Sequence, residues 1–284
     1  MGKFYWRTNM KDTLFLLVTC TKDITRFEIL NQVVNNLCNV FDKKTLHNML
    51  VFDNASSYTG SVKLLTDNFN NVYQSKLNVG LWSAIHWCLK NYQTLMSRDY
   101  KYLYIIESDL IHFDDSLKKL EMCESFLDSN DDVGFVRTEE FFVAERHLYD
   151  KGSPKKNSRK YAWVTQNNFI QNKRVEFHKT NYEGIYKCNF LAKLPALSRI
   201  QAIKEVFLDL SSLKKFSETD YQKLYYDRYK ISALLDGGVF HSKLGNENVN
   251  VVVNGSRNYN LEIDYRPTRS DTISEISLND VTKL

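Results

Sequence analysis

The chain has 284 residues, 43% of them hydrophobic and 13% aromatic, which is enough for a globular protein with one large core or two small ones. Lys and Arg number 38 against 34 Asp and Glu, a balance too mild to indicate nucleic acid or membrane as a partner by itself. The five cysteines are widely spaced without a C-x-x-C pair, which predicts reduced, mostly buried thiols in a cytoplasmic protein and disfavours a disulfide framework or a zinc site. Because no run approaches ~18 apolar residues and no signal-peptide core is present, we expect no integral membrane segment.

Strand and helix signals alternate along the first half of the chain. Apolar runs predict buried strands at 14–18, 49–52, 72–74, 102–106 and 133–136. Helical spacing of apolar residues predicts helices that end near residue 39 and that cover 58–69, 82–92 and 114–128. This alternation is typical of an α/β fold with a mostly parallel central sheet flanked by helices.

The pattern changes after residue 137. Residues 151–193 carry ten Lys/Arg against two Glu, and most of this basic insert reads as a long surface excursion. Helices are predicted at 197–213 and 218–235, the second ended by two glycines. A last strand is predicted at 249–253, and the polar residues 264–284 read as a C-terminal tail.

Two carboxylates follow the strongest strand signal. The run Tyr102–Ile106 stops at Glu107, Ser108 and Asp109. Ligands of open α/β sheets bind beyond the carboxyl ends of the strands. Asp109 in that position suits a hard divalent cation, which takes oxygen ligands and bridges a carboxylate to substrate phosphates. The alternative is a pair of solvated acids at a strand end.

Four other polar segments could carry chemistry, and each has a structural alternative. D-N-A-S-S at 53–57 could form an Asx turn or a helix N-cap, and N-V-G at 78–80 could be an ordinary loop-to-helix junction. In S-E-T-D-Y at 217–221 the acids could simply complement a helix dipole behind an N-cap at Ser217. The histidine that ends G-G-V-F-H at 237–241 could be structural.

In this order, the segments resemble the motifs of inverting, family-2-like glycosyltransferases of the GT-A fold, a family with viral and phage members, over roughly residues 13–245. The resemblance implies a nucleotide-sugar-binding half at 1–137 and an acceptor-binding half at 138–263 that contains the basic insert. It also implies transfer of a sugar from a nucleoside diphosphate donor, with UDP favoured, to a hydroxyl acceptor. A viral member would work in the host cytoplasm.

The resemblance assigns donor-binding roles to residues within 19–21 and 76–80 and to residues 53, 107 and 108. Asp53 matches the acid that accepts a hydrogen bond from the base, and Asn78 and Gly80 match a turn that approaches the donor. Glu107 stands where the family usually has the first Asp of a D-x-D motif. The donor-binding residues implied are Thr19, Thr21, Asp53, Lys76, Asn78, Gly80, Glu107 and Ser108.

The remaining assignments concern the ligands of the metal ion and the catalytic general base. Asp109 and His241 match the ligands of a divalent cation, and an imidazole ligand favours Mn²⁺ over Mg²⁺. Such a cation would neutralise the diphosphate and assist departure of the nucleotide. Inversion needs a base on the acceptor hydroxyl. Glu218 falls on the family position of that base, with Asp220 as the substitute.

The acceptor is left open, and so are two other functions. A glycan is the first expectation, while the basic insert with its interleaved aromatic residues would also suit modified DNA, through phosphate contact and stacking. A nucleotidyltransferase would need a glycine-rich opening loop, which residues 19–23 lack. A non-catalytic nucleotide- or carbohydrate-binding descendant of the fold is the other alternative. No G-x-S-x-G, H-E-x-x-H or P-loop pattern occurs, which disfavours serine hydrolases, zincins and P-loop enzymes.

Overall fold

The computed structural model describes residues 10–138, 177–188, 194–234, 238–241 and 272–284. Its strands are β1 Thr13–Thr19, β2 Leu50–Asp53, β3 Asn71–Ser75, β4 Tyr102–Glu107, β5 Leu110–His112, β6 Val133–Arg137, β7 Phe177–Lys179, β8 Ile185–Cys188, β9 Ala196–Arg199, β10 Lys230–Leu234, β11 Val239–His241 and β12 Val281–Lys283. Its helices are α1 Ile24–Val40, α2 Lys43–His47, α3 Thr59–Asn68, α4 Leu81–Met96, α5 Ser116–Asp128, α6 Ile200–Ser212 and α7 Glu218–Arg228, with a 3-10 turn at Leu278–Asp280.

One sheet of ten strands organises the described residues. Its order is β12-β3-β2-β1-β4-β9-β6-β10-β8-β7, and β5 and β11 form a separate two-stranded ladder. All but β12, β9 and β8 run in the same direction. The predicted α/β fold with a largely parallel central sheet is therefore confirmed.

Each face of the sheet has its own hydrophobic cluster. Alternate residues of the buried strands point to opposite faces, so Leu17, Val51 and Val72 pack with α1, α3 and α5. Leu103 and Ile105 point the other way and pack with α4, α6 and α7. Every residue of β1 and β2 is buried, which explains why these strands read as unbroken apolar runs.

Two predicted helices are shorter than their sequence patterns indicated. Residues 196–199, expected to begin a helix near Leu197, form β9 between β4 and β6 instead. The helix expected to reach residue 235 ends at Arg228, and β10 follows it. Both segments are short, and nearly every side chain in them is buried. Their sequences therefore lack the alternation of apolar and polar residues that would distinguish a strand from a buried helix.

The end of the chain is not the free tail that its composition indicated. Val281–Lys283 pair antiparallel with β3, and the Leu284 amide donates to the Val72 carbonyl at 2.9 Å. Upstream, the Ser274 amide donates to the Ser83 hydroxyl of α4 at 3.0 Å. We call residues 272–284 the C-terminal strap, because they cross α4 and complete the edge of the sheet. The predicted strand at 249–253 lies outside the described residues, as does most of the basic insert.

The predictions about thiols and membrane segments can also be compared with the structure. All five cysteines are free, and Cys88, Cys123 and Cys188 are buried. None of the helices in the described residues has both the length and the apolar character needed to cross a bilayer.

A buried histidine makes the stability of the fold sensitive to acid. The ring of His112 packs edge-on against Phe41 and Tyr104, and burial lowers the pKa of His112 to about 3. The unfolded chain takes up this proton near pH 6.5, so the stabilisation is complete above that pH and is lost as the pH falls towards 3. We expect this group alone to lower the free energy of unfolding by about 2 kcal/mol between pH 7 and pH 5, measured by urea unfolding.

Two variants separate this effect from other titrations. His112→Phe should reduce the difference in stability between the two pH values by the same amount. His47→Gln, at an exposed position, should keep the wild-type difference. A wild-type pH dependence in His112→Phe would contradict the assignment.

Candidate functional site

The carboxyl ends of four parallel strands bring polar residues into one row. Thr19 lies opposite Asp53, Asp53 lies opposite Gln74, and Val18 lies opposite Glu107. Neighbouring strands are about 4.8 Å apart, so the row forms one continuous edge. By strand alternation, Thr19, Asp53 and Gln74 lie on the face of the sheet that α1 and α3 cover. Glu107 lies on the opposite face, which α4 and α7 cover.

Asp53 is wholly buried within this row. Its Oδ1 accepts hydrogen bonds from the Ser56 hydroxyl and from the Ser56 amide, the latter at 3.3 Å, and its Oδ2 accepts from Gln74 Nε2 at 2.7 Å. Burial raises the pKa of Asp53, while the bonds from Ser56 and Gln74 act to lower it. The amide that donates to Asp53 is three residues further on, whereas an Asx turn uses the amide two residues on. The Asp53 carboxylate is therefore held by the protein's own donors, in a turn that differs from the Asx turn named as a structural alternative for this segment.

The N-V-G segment is tied to the D-N-A-S-S segment by side-chain amides. Asn54 Nδ2 donates to Asn78 Oδ1 at 3.1 Å, and Asn54 Oδ1 accepts from the Val79 amide at 2.8 Å. Asn78 Nδ2 also donates to Cys20 Sγ at 3.2 Å. Three loops that follow β1, β2 and β3 therefore form one hydrogen-bonded unit.

Gly80 begins α4 at the end of this unit. Its φ of 81° is a conformation that favours glycine, and a Cβ built there would meet no atom of the described residues within 4 Å. The backbone conformation, rather than a close contact within the protein, requires glycine at this position. Among the described residues, none fills the position that a side chain at Gly80 would take.

Two other predicted donor-binding residues have neighbours that their motifs do not indicate. Thr21 is buried, and its amide donates to the Ser56 hydroxyl at 2.7 Å. Lys76 lies against the C-terminal strap, where its amide donates to the Asp280 carbonyl at 2.9 Å and its Nζ is 3.9 Å from Asp280 Oδ1. The Lys76 side chain is 61% exposed, so its ammonium group lies at the rim of the edge.

The ladder of β5 and β11 brings the two predicted metal ligands close together in the backbone. Glu107 ends β4, Ser108 and Asp109 form the turn, and β5 begins at Leu110. His241 lies opposite Leu110 in the antiparallel register. Residues 132 positions apart in the chain (241 − 109) thus lie on neighbouring backbone segments.

The first turn of α7 lies beside the N-terminus of α4. The ring of Trp82 in α4 is 4.8 Å from the ring of Tyr221 and 5.7 Å from that of Phe216. These contacts fix the start of α7, which includes Glu218, next to the start of α4.

Asp220 forms a capping box with Ser217. Its Oδ2 accepts from the Ser217 amide at 2.7 Å and from the Ser217 hydroxyl at 2.8 Å. The bond from the Ser217 amide is the largest of the causes that lower the pKa of Asp220. Asp220 therefore stabilises the N-terminus of α7, as the structural alternative predicted.

The residues at the edge fit a cation that is bound together with substrate. Within the part of the chain that the structure describes, no group of three or more His, Cys, Asp or Glu side chains could hold a metal ion by itself. A cation bound with a nucleotide needs only one or two protein carboxylates, since phosphates and waters supply the other ligands. The half-buried carboxylate of Asp109, one residue before β5, is available for that arrangement.

Several residues of the edge were not among the predicted donor-binding residues, although Asn54 and Ser56 lie within the D-N-A-S-S segment. Gln74 and Ser56 hold the Asp53 carboxylate, and Asn54 and Cys20 hold Asn78. The signal that could have identified Gln74 is strand register, because it lies opposite Asp53 once β2 and β3 are aligned.

The architecture defines the class of this structure, which is the GT-A fold of nucleotide-diphospho-sugar transferases. No protein-family model and no curated protein sequence matches the chain. Among solved structures, TarS 1–349 of S. aureus is similar over 89% of this chain and 66% of that chain, with a TM-score of 0.51 and 15% identity.

Two further solved structures overlap less well. The S. aureus TarS 1–349 complex with UDP-GlcNAc covers 81% of this chain and 58% of its own, with a TM-score of 0.48 and 15% identity. GalNAc-T7 with UDP, GalNAc and Mn²⁺ covers 81% and 43%, with a TM-score of 0.47 and 11% identity. The chain thus spans less than two thirds of each of these proteins, and what it shares with TarS 1–349 is the fold.

Proposed function

We propose that this protein is a metal-dependent inverting glycosyltransferase that moves a sugar from a UDP-sugar to a hydroxyl acceptor. The observation that carries the proposal is the register of β5 and β11, which sets His241 against Leu110 and so beside Asp109. The two segments meet at the carboxyl edge of the parallel strands, where ligands of such sheets bind, and this supports a cation site there.

The donor would occupy the edge formed by the loops after β1, β2 and β3. Thr19 supports this role because its hydroxyl is buried without a hydrogen-bond partner among the described residues. A buried polar group of this kind is normally satisfied by a ligand or an ordered water. Asn78 and the space beside Gly80, which no described residue fills, would accommodate the diphosphate beyond the nucleoside.

The chemistry at the leaving group depends on the charge of the diphosphate. Asp109 and His241 would hold Mn²⁺ or Mg²⁺, which when bound neutralises the phosphates and favours departure of UDP. Glu107, at the end of β4, continues the opposite face from Asp53, so we assign it to the ribose or to the outer ligand sphere. Ser108 lies in the turn between these acids and would contact the same part of the donor.

The acceptor would be activated from the start of α7. Glu218 is the first residue of that helix, and the contacts of Trp82 hold the helix beside the N-terminus of α4. Asp220 is engaged in the capping box, which favours Glu218 as the general base. A glycan is the proposed acceptor class.

The donor and the metal can be tested together by thermal denaturation. We expect UDP with Mn²⁺ to raise the melting temperature by several degrees, since ligand at 100 times its Kd contributes about 2.7 kcal/mol. CDP, GDP and ADP at equal concentration should give smaller shifts. EDTA should remove most of the UDP effect, because a cation held by Asp109 and His241 would supply the charge that neutralises the diphosphate.

The outcomes distinguish the proposal from its rivals. A shift with UDP and Mn²⁺ that is accompanied by slow hydrolysis of a UDP-sugar supports a transferase. The same shift without hydrolysis of any UDP-sugar or transfer to any acceptor would favour a non-catalytic binding protein. A preference for nucleoside triphosphates would instead favour a nucleotidyltransferase.

A further inference from the structure

Gln74 is the half-buried member of a hydrogen-bonded pair whose other member, Asp53, is fully buried. It is the fourth residue of β3 and lies opposite Asp53 in the parallel register. Its Nε2 donates to Asp53 Oδ2 at 2.7 Å. Between the two side chains, only Gln74 has surface that a ligand can reach.

The bond to Asp53 fixes which way the Gln74 amide faces. An ionised carboxylate only accepts hydrogen bonds, and an amide nitrogen only donates them. The nitrogen of Gln74 must therefore face Asp53, and Oε1 must face away from it. Rotating the amide by half a turn would leave Asp53 Oδ2 without this donor, which is costly for a buried carboxylate.

We propose that Gln74 is the residue that selects the base of the nucleotide, and that Asp53 is a positioning residue that orients it. This inference rests on the proposed function and deepens it. Oε1 of Gln74 accepts the N3–H of uracil, and the second Nε2–H donates to a carbonyl oxygen on the same edge of the base. Cytosine has an acceptor at N3, so it faces Oε1 with a lone pair in place of a donor.

The resemblance to glycosyltransferases implies that Asp53 contacts the nucleobase directly, whereas here Asp53 orients Gln74, which makes that contact. Both carboxylate oxygens of Asp53 already accept bonds from Ser56 and Gln74, and none of the residue is exposed. Direct contact with a base would require the Gln74 side chain to move aside. In the arrangement proposed here the negative charge of Asp53 acts through the amide, which becomes a more effective acceptor as its N–H is polarised.

The test compares UDP, CDP and N3-methyl-UDP by isothermal titration calorimetry in the presence of Mn²⁺. The wild-type protein should bind UDP about tenfold more tightly than either analogue, as expected for one hydrogen bond that is lost and not replaced. In Gln74→Met, which keeps the length of the side chain, UDP should bind about tenfold more weakly. The N3-methyl penalty should then fall below about twofold, because no acceptor faces N3.

A matched control is available in α4. Gln93 also donates its Nε2 to an aspartate, Asp99, at 3.1 Å, but it lies in the last two turns of α4, away from Gly80. Gln93→Met should keep the wild-type affinities for all three nucleotides. Gln74→Leu provides a second apolar replacement if Gln74→Met is poorly folded.

Each result bears on the inference. An unchanged N3-methyl penalty in Gln74→Met or Gln74→Leu overturns it and returns base recognition to Asp53. Equal binding of UDP and N3-methyl-UDP by the wild-type protein overturns it without any variant. If UDP does not bind at all, the proposed function fails as well, so the two failures are distinguishable.

Discussion

Replacing Asp109 by alanine should lower the rate of sugar transfer from a UDP-sugar by at least about 100-fold. A metal that stabilises the departing diphosphate contributes several kcal/mol to the transition state, and each ~1.4 kcal/mol corresponds to a factor of ten. The same variant should lose the Mn²⁺-dependent part of its affinity for UDP. Initial rates with saturating donor, together with calorimetric titration of UDP with and without Mn²⁺, measure both effects.

The control for this prediction lies six residues further along the chain. Asp115 is an acidic residue at the start of α5 whose side chain is 56% exposed and pairs with Lys119 at 3.0 Å. Asp115→Ala should keep the wild-type rate, since an exposed ion pair is worth little. If Asp109→Ala transfers sugar as fast as Asp115→Ala does, the metal-dependent mechanism is wrong.

Replacing Glu218 by glutamine should lower kcat by about 10²–10⁴-fold, the usual contribution of a general base. UDP binding should be unchanged, because the substitution removes a proton acceptor at the acceptor hydroxyl and leaves the donor site intact. The ascending limb of the kcat profile against pH should also disappear. Steady-state kinetics over a range of pH, with UDP affinity measured separately, provide the test.

Asp220→Asn should give the opposite result in the same helix turn. This change weakens the capping box of α7, so we expect a loss of stability of about 0.5–1 kcal/mol with kcat within about threefold of wild type. Urea unfolding and the same kinetic assay check both. A large loss of kcat in Asp220→Asn, with Glu218→Gln nearly active, would exchange the roles of the two acids.

The parallel half of the sheet could be predicted from the sequence because its signals are local. β1, β2 and β4 are apolar runs that end at polar loops, and the helices between the strands show helical spacing of apolar residues. β3 is shorter and more polar, and its apolar signal is limited to Val72 and Tyr73. The strands β9, β10 and β12 could not be predicted in this way. Each has only three to five residues, and it becomes a strand because an edge or gap of the sheet accepts its backbone hydrogen bonds.

The residues of the candidate site also differ in whether local sequence signals could identify them. Asp53, Asn78 and Asp109 stand in recognisable motifs after strand signals, so sequence alone could nominate them. Gln74 acquires its significance only from the alignment of β2 with β3, a relation between residues 21 positions apart. The protection of Asp53 from solvent is likewise a property of packing, and no motif indicates it.

The position of β9 determines the order in which this fold can assemble. β4 and β6 are near neighbours in the chain, but β9 lies between them and pairs Leu197 with both Tyr104 and Val136. β1 pairs with β2 across 34 positions (50 − 16) and β2 with β3 across 21 (71 − 50), whereas β4 pairs with β9 across 93 (197 − 104), which closes a long loop. We therefore expect the first pairs to form before β9 joins the two halves of the sheet. The entropy of closing that long loop grows only logarithmically with its length, so its length affects the rate of folding more than the final stability.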